Sequence, residues 1–112
     1  MKAFVIDVDG CLTDGQMWYS AEGKMFKAFG ADDHDALKLI KDKIWTVFVT
    51  ADDLGYNITW KRVYEDMKFN CALVKMEDRI RWIGQEYGLS ETIYMGDGIL
   101  DGGIFEEVGY SI

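Results

Sequence analysis

Apolar residues along the chain fall in short runs of two alternating kinds. Ala3 to Val8 is apolar except for Asp7, as expected for a central strand covered on both faces. Gln16 to Ser20 and Lys24 to Phe29 are short and aromatic-rich and flank Ala21-Glu22-Gly23, which predicts a β-hairpin. Asp32 or Asp33 caps a predicted helix to about Lys41, with Ala36, Leu37 and Ile40 as its apolar face. Ile44 to Val49 reads as a second buried strand ending at Thr50. Asp52 or Asp53 opens a longer helix to about Lys68, with Ile58, Val63 and Met67 inward, and Cys71 to Val74 follows as a strand. Met76, Ile80, Ile83 and Tyr87 recur at helical spacing up to a stop at Gly88. Thr92 to Met95 is the next strand, Asp101 to Val108 a short helix, and Tyr110 to Ile112 the start of a further strand.

Strands alternating with helices predict a doubly wound, Rossmann-like α/β fold: a mostly parallel sheet between two helical layers, with a hairpin inserted after the first strand. No proline, repeat or linker divides the chain, so residues 1–112 are expected to form one domain, with the hairpin at about 16–29.

Composition narrows the classes of function. The chain is 49% hydrophobic and 14% aromatic, enough for a core. Twelve basic against 20 acidic residues give a net charge of −8, which disfavours a nucleic-acid partner, since phosphate neutralisation needs a basic patch. The leading apolar run is too short for a signal peptide or a membrane span, so no membrane partner is expected. Two cysteines, Cys11 and Cys71, suit free thiols in a reducing compartment, and the expected location is cytoplasmic.

The chemistry-bearing residues gather at predicted strand ends. Asp7 and Asp9 sit at i, i+2; if the strand continues through them, both leave it on one side with Cα atoms roughly 7 Å apart. Carboxylates that close repel unless a cation or a proton is shared, which predicts a Mg²⁺ site. An acidic turn is the plainer alternative, because Asp and Gly are ordinary turn residues. Thr50 ends the second strand, Lys75 the third, and Asp97 and Asp101 follow the fourth. Open α/β sheets place their sites beyond these carboxyl ends.

Asp7-Val8-Asp9-Gly10, with Leu12-Thr13-Asp14-Gly15 behind it, resembles the first motif of the haloacid dehalogenase superfamily. The longer form resembles its capless branch, the 3-deoxy-D-manno-octulosonate 8-phosphate phosphatases. Gly96-Asp97-Gly98-Ile99-Leu100-Asp101 resembles the fourth motif, with Gly98 in place of a second acidic residue. The resemblance implies a Mg²⁺-dependent phosphomonoesterase acting on a small phosphorylated metabolite, with a sugar acid phosphate as candidate substrate, through an aspartyl-phosphate intermediate. It implies Asp7 as nucleophile and Asp9 as general acid and base. Thr50 then bonds the phosphoryl group, with the backbones of Gly10 and Ala51 alongside, and Lys75 neutralises it. Arg79, one helical turn on, is the rival cation. The implied metal ligands are Asp7, Asp9 through its carbonyl, and Asp97, with Asp101 orienting a bound water.

Lys27-Ala28-Phe29, with Asp33 and Leu37, resembles that branch's hairpin and the segment after it, implying a homo-oligomer, a tetramer foremost. Met17, Trp18, Tyr19, Phe26 and Phe29 are too apolar to leave in water, which points the same way. Ala51 stands where the family has Gly, and relatives continue beyond the last strand with a helix and tail, so the C-terminus reads as truncated. A non-catalytic member acting as an assembly or binding protein is the alternative. A receiver domain is disfavoured, because its phospho-accepting Asp follows the third strand, where Val74 and Lys75 stand.

Overall fold

The computed structural model describes residues Met1–Ile112. The first apolar run forms β1 (Ala3–Asp7) and breaks into a one-turn loop, Val8–Leu12. The hairpin is β2 (Met17–Ser20) and β3 (Gly23–Lys27), antiparallel, with a register shift between Trp18 and Tyr19. Next come α1 (Ala31–Lys38), β4 (Trp45–Thr50), and α2 (Tyr56–Trp60), which continues in a wider-wound segment, Lys61–Asp66. The remainder is β5 (Asn70–Leu73), α3 (Met76–Glu86), β6 (Thr92–Met95), α4 (Gly102–Glu107) and β7 (Tyr110–Ser111).

Five strands form one sheet in the order β5-β4-β1-β6-β7, parallel throughout, with β1 in the centre. Alternation along the strands divides the core in two. Ile6 and Phe48 pack with Val8, Leu12, Val63, Met67 and Phe69 on one side. Val5, Val47, Val49 and Tyr94 pack with Ile83 of α3 and Ile104 of α4 on the other. The result is the expected three-layer arrangement, and a strand covered on both faces is why Ala3–Ile6 carries no polar alternation. No helix is long and apolar enough to cross a membrane.

Two expectations shift. The helix after the hairpin is shorter than its apolar spacing implied and buries no residue; only Leu37 reaches the core. The helix after β4 starts at Tyr56, because Asp52 closes a turn instead, accepting from the Gly55 N–H at 3.1 Å.

Candidate active site

β1 ends at Asp7, and the chain then turns at once. Asp9 has φ −78 and ψ 106, and Gly10 has φ 101, a left-handed conformation that glycine alone adopts freely. The parity of a continuous strand therefore does not carry through Asp9, and the two carboxylates find different neighbours.

Asp7 is 8% exposed and faces the α3 side. Arg79 Nη1 donates to Asp7 Oδ1 at 3.2 Å and to the Tyr94 hydroxyl at 2.9 Å. Arg79 Nη2 reaches the Val74 carbonyl at 3.4 Å. The Tyr94 hydroxyl in turn donates to Asp101 Oδ1 at 2.6 Å, and the Gly98 N–H donates to Asp101 Oδ2 at 2.8 Å. Burial pushes the Asp7 carboxyl up to about 7; the charges of Asp101 and Asp9 add to the rise and Arg79 opposes it.

Asp9 turns toward the hairpin. Lys27 Nζ donates to Asp9 Oδ1 at 2.8 Å, and the Thr50 hydroxyl donates to Asp9 Oδ2 at 2.7 Å. Thr50 is fully buried, and its oxygen accepts from the Asp52 N–H at 3.0 Å. The Thr50 hydroxyl proton is thus given to Asp9, where the sequence placed it on a phosphoryl group. Lys27 was not singled out as a site residue by the sequence. It stands there only within the hairpin resemblance of Lys27-Ala28-Phe29, because its polar partners lie 18 to 32 residues away.

Asp97 closes on Asp7 from the β6 end. The ligand atoms of Asp7, Cys11 and Asp97 lie within 4.8 Å of one another. A Cβ on Gly10 would stand 1.7 Å from Asp97 Oδ2, so the Asp97 carboxylate occupies the space that only glycine leaves there. Burial and the nearby carboxylates of Asp7, Asp97 and Asp101 push the Cys11 thiol up to about 12, so it stays protonated at neutral pH. The charged donors are then two carboxylates, a set that fits a hard, oxygen-seeking divalent cation. Asp9 contributes no side-chain oxygen to this cluster, and both oxygens of Asp101 accept bonds from Tyr94 and Gly98.

Asp7, Asp9, Asp97 and Asp101 border one cavity of about 360 Å³, together with Gly15, Met76, Gly98, Ile99 and Leu100. Lys75 is not on it. Lys75 precedes α3, is exposed, and lines a separate cavity of about 520 Å³ with Ala51, Asp53, Arg81 and Trp82. The geometry brings the rival Arg79 to Asp7 and leaves Lys75 outside. The signal was in the helical phase: Arg79 lies four residues before the buried Ile83, on the stripe that faces the sheet.

No protein-family model matches the chain. Over 42 residues it is 43% identical to the 3-deoxy-D-manno-octulosonate 8-phosphate phosphatase KdsC of Haemophilus influenzae, a match spanning 38% of this chain and 23% of that protein. The cobalt-bound deoxy-D-mannose-octulosonate 8-phosphate phosphatase YrbI of Haemophilus influenzae superposes with a TM-score of 0.82 at 31% identity, over 99% of this chain and 67% of that one. A hypothetical protein of Xanthomonas campestris gives 0.80 at 30% identity, over 98% and 62%. The 3-deoxy-D-manno-octulosonate 8-phosphate phosphatase of Moraxella catarrhalis, solved with magnesium, phosphate and KDO, gives 0.76 at 28%, over 99% and 67%. This chain therefore spans 62 to 67% of the length of these solved relatives. With its length almost wholly superposed on them, and with its acidic residues gathered at the carboxyl ends of β1 and β6, the chain belongs to the haloacid dehalogenase superfamily, in the branch of the 3-deoxy-D-manno-octulosonate 8-phosphate phosphatases.

Proposed function

We propose that the chain is a Mg²⁺-dependent phosphomonoesterase for a small phosphorylated metabolite, with a sugar acid phosphate as the favoured class. The observation that carries this reading is the setting of Asp7. Its carboxylate ends the central strand, one oxygen is held by buried Arg79, and Asp97 faces it across Gly10. The cavity it borders, about 360 Å³, is of the size that takes a small ligand. Support for the substrate class comes from the relatives, one of which is solved with phosphate and KDO.

In this reading Asp7 and Asp97 hold the cation, with the Asp9 carbonyl, and Asp101 supports the site through Tyr94 and Gly98. The bound Mg²⁺ supplies positive charge that offsets the repulsion between a carboxylate and a phosphate. The free oxygen of Asp7 attacks phosphorus, and the bond from phosphorus to the ester oxygen breaks. The departing alkoxide takes a proton from Asp9 and leaves as the alcohol. A water then attacks the aspartyl phosphate and gives its proton to Asp9, and the bond from phosphorus to Asp7 breaks to release phosphate. Arg79 stabilises the charge that builds on the transferring group and holds Asp7 in line. The backbone of Gly10, against Asp97, borders the phosphoryl position, Ala51 lies with Lys75 on the separate cavity, and Thr50 acts through Asp9.

The same reading includes self-assembly, a tetramer foremost, through the hairpin, and a cytoplasmic setting that suits the two free thiols. Phosphate release measured over a panel of phosphorylated sugars, sugar acids and nucleotides, with and without Mg²⁺, tests the activity. Turnover of at least one ester that requires the metal and disappears in Asp7→Asn is expected. Absence of turnover on the whole panel, or full activity in Asp7→Asn, would sink the reading.

A further inference from the structure

Lys27 is a buried cation for which the proposed reaction has so far no use. It ends β3, and its side chain is 1% exposed. Its ammonium donates to Asp9 Oδ1 and to Thr59 Oγ1, each at 2.8 Å, and stands 2.8 Å from Asp52 Oδ2 as an ion pair. Asp52 also pairs with Lys24 of the same strand. The chain has made room for this arrangement: a Cβ on Gly55 would stand 2.9 Å from Lys27 Cε and 2.2 Å from Asp52 Oδ2. Lysine is rarely buried to this degree without paired charge, and here three polar groups converge on it.

The consequence for Asp9 is geometric. A carboxylate on two rotatable bonds past a strand end has several orientations open to it. Lys27 holds one oxygen and Thr50 holds the other, so a single orientation remains. Thr59 and Asp52 fix the ammonium, and the hydroxyl of Thr50 is itself fixed by the Asp52 N–H. Each member of the set is therefore held by at least one other, and the hairpin supplies the one cation in contact with Asp9.

We infer that Lys27 is a positioning residue for proton transfer by Asp9, which makes the seating of the hairpin a condition for protonating the leaving group. The inference rests on the proposed phosphomonoesterase reading. It extends that reading from the residues that touch the phosphoryl group to one that acts through another side chain. Lys27 does not reach the reacting atoms in this account; it decides where the Asp9 carboxylate points.

The test separates this role from a merely structural one by leaving-group chemistry. An alkyl phosphate needs its leaving oxygen protonated, whereas p-nitrophenyl phosphate does not. Lys27→Met should lower kcat on an alkyl phosphate by about 100-fold, the scale of general acid catalysis, and on p-nitrophenyl phosphate by less than about tenfold. In an Asp9→Asn background, Lys27→Met should cause no further loss on the alkyl ester, because the group it positions is gone. Equal losses on the two esters, or losses that add to those of Asp9→Asn, overturn the inference. Should Lys27→Met not fold, the pair Lys27→Met with Asp52→Asn removes one charge of each sign and carries the same comparison. The wild-type enzyme and Asp7→Asn are run alongside. A wild type without turnover defeats the phosphatase reading itself, whereas an active wild type with equal losses defeats only the role of Lys27.

Discussion

Arg79 Nη1 and Asp7 Oδ1 meet at 3.2 Å although 72 residues separate them in sequence. The guanidinium is fully buried and bonds Asp7, Tyr94 and the Val74 carbonyl together, which ties α3 to the ends of β1 and β6. A planar fork of donors suits this multiple role, and a lysine ammonium would not reproduce it.

That contact makes Arg79, rather than Lys75, the cation of the proposed reaction. Arg79→Met should reduce phosphate release by about 100-fold or more, since it removes a preorganised cation at the proposed nucleophile. Lys75→Met should stay close to wild type, because Lys75 is exposed and lies outside the cavity that Asp7 borders. Steady-state kinetics on one ester for both variants checks this. A large loss in Lys75→Met with an active Arg79→Met would reverse the assignment.

The choice between those two residues illustrates what the sequence conveys. The strands were legible because a sheet covered on both faces needs unbroken apolar runs, and Thr92–Met95 was read to the residue. The helix of Met76, Ile80 and Ile83 was legible from its period, and the same period placed Arg79 on the inward stripe. The resemblance implied Lys75, whereas the folded chain sets Arg79 against Asp7. The orientation of Asp9 was not legible, because it depends on the point at which β1 ends. A strand two residues longer would keep Asp9 beside Asp7. Lys27 was hidden for a different reason: its partners come from α2 and the loops beyond β1 and β4, and only the folded sheet brings them together.

Asp7 also sets a pH dependence in the metal-free protein. Its carboxyl titrates near 7 when folded, against 3.8 as the ordinary value. Between these values the folded state holds a proton that the unfolded state has lost, so stability falls as pH rises. The contribution is complete below about pH 4 and gone above about pH 7, and three pK units correspond to roughly 4 kcal/mol. Asp52 works in the opposite direction. Burial raises it, but Lys24 and Lys27 outweigh burial and hold it below its ordinary value. Its contribution is therefore lost only on the acid side of the window. With a chelator present, the melting temperature should fall from about pH 4.5 to 7, and Mg²⁺ should remove that fall by favouring the charged carboxylate. A chelated protein that gains stability across this range would contradict the account.

Gly10 offers a test of the cation site that leaves every carboxylate in place. Alanine there meets Asp97 Oδ2 at 1.7 Å and must hold φ at 101. Either the loop Val8–Leu12 shifts or Asp97 is driven away from Asp7. Gly10→Ala should lose about 1–3 kcal/mol of stability from the backbone alone. The rise in melting temperature on adding Mg²⁺ should shrink well below that of wild type. Thermal melts with and without Mg²⁺ measure both effects, and an undiminished Mg²⁺ response would exclude Asp7 and Asp97 as the pair that holds the ion.

The hairpin leads to the last prediction. Trp18 and Tyr19 are each 64% exposed, Phe26 is 59% exposed and Met25 is 48% exposed, all on a two-stranded ribbon outside the main sheet. Trp18 pairs with Phe26 across the ribbon, so their rings form one patch. An isolated hairpin is marginal in water, and covering each of these side chains is worth roughly 2 kcal/mol. Phe29, expected in the same patch, packs back on the domain's core, whereas these four side chains do not. A second copy of the chain is the simplest cover, and sedimentation at micromolar concentration should show an oligomer, with a tetramer expected. Trp18→Lys combined with Phe26→Lys should dissociate it while leaving the sheet, and hence the far-ultraviolet circular dichroism, essentially unchanged. Because β3 carries Lys27 into contact with Asp9, the dissociated variant should also lose turnover on alkyl phosphates more than on p-nitrophenyl phosphate. A wild type that sediments as a monomer throughout that range would defeat the assembly. The hairpin's aromatic patch would then stand open to solvent, and the link from assembly to proton transfer would fall with it.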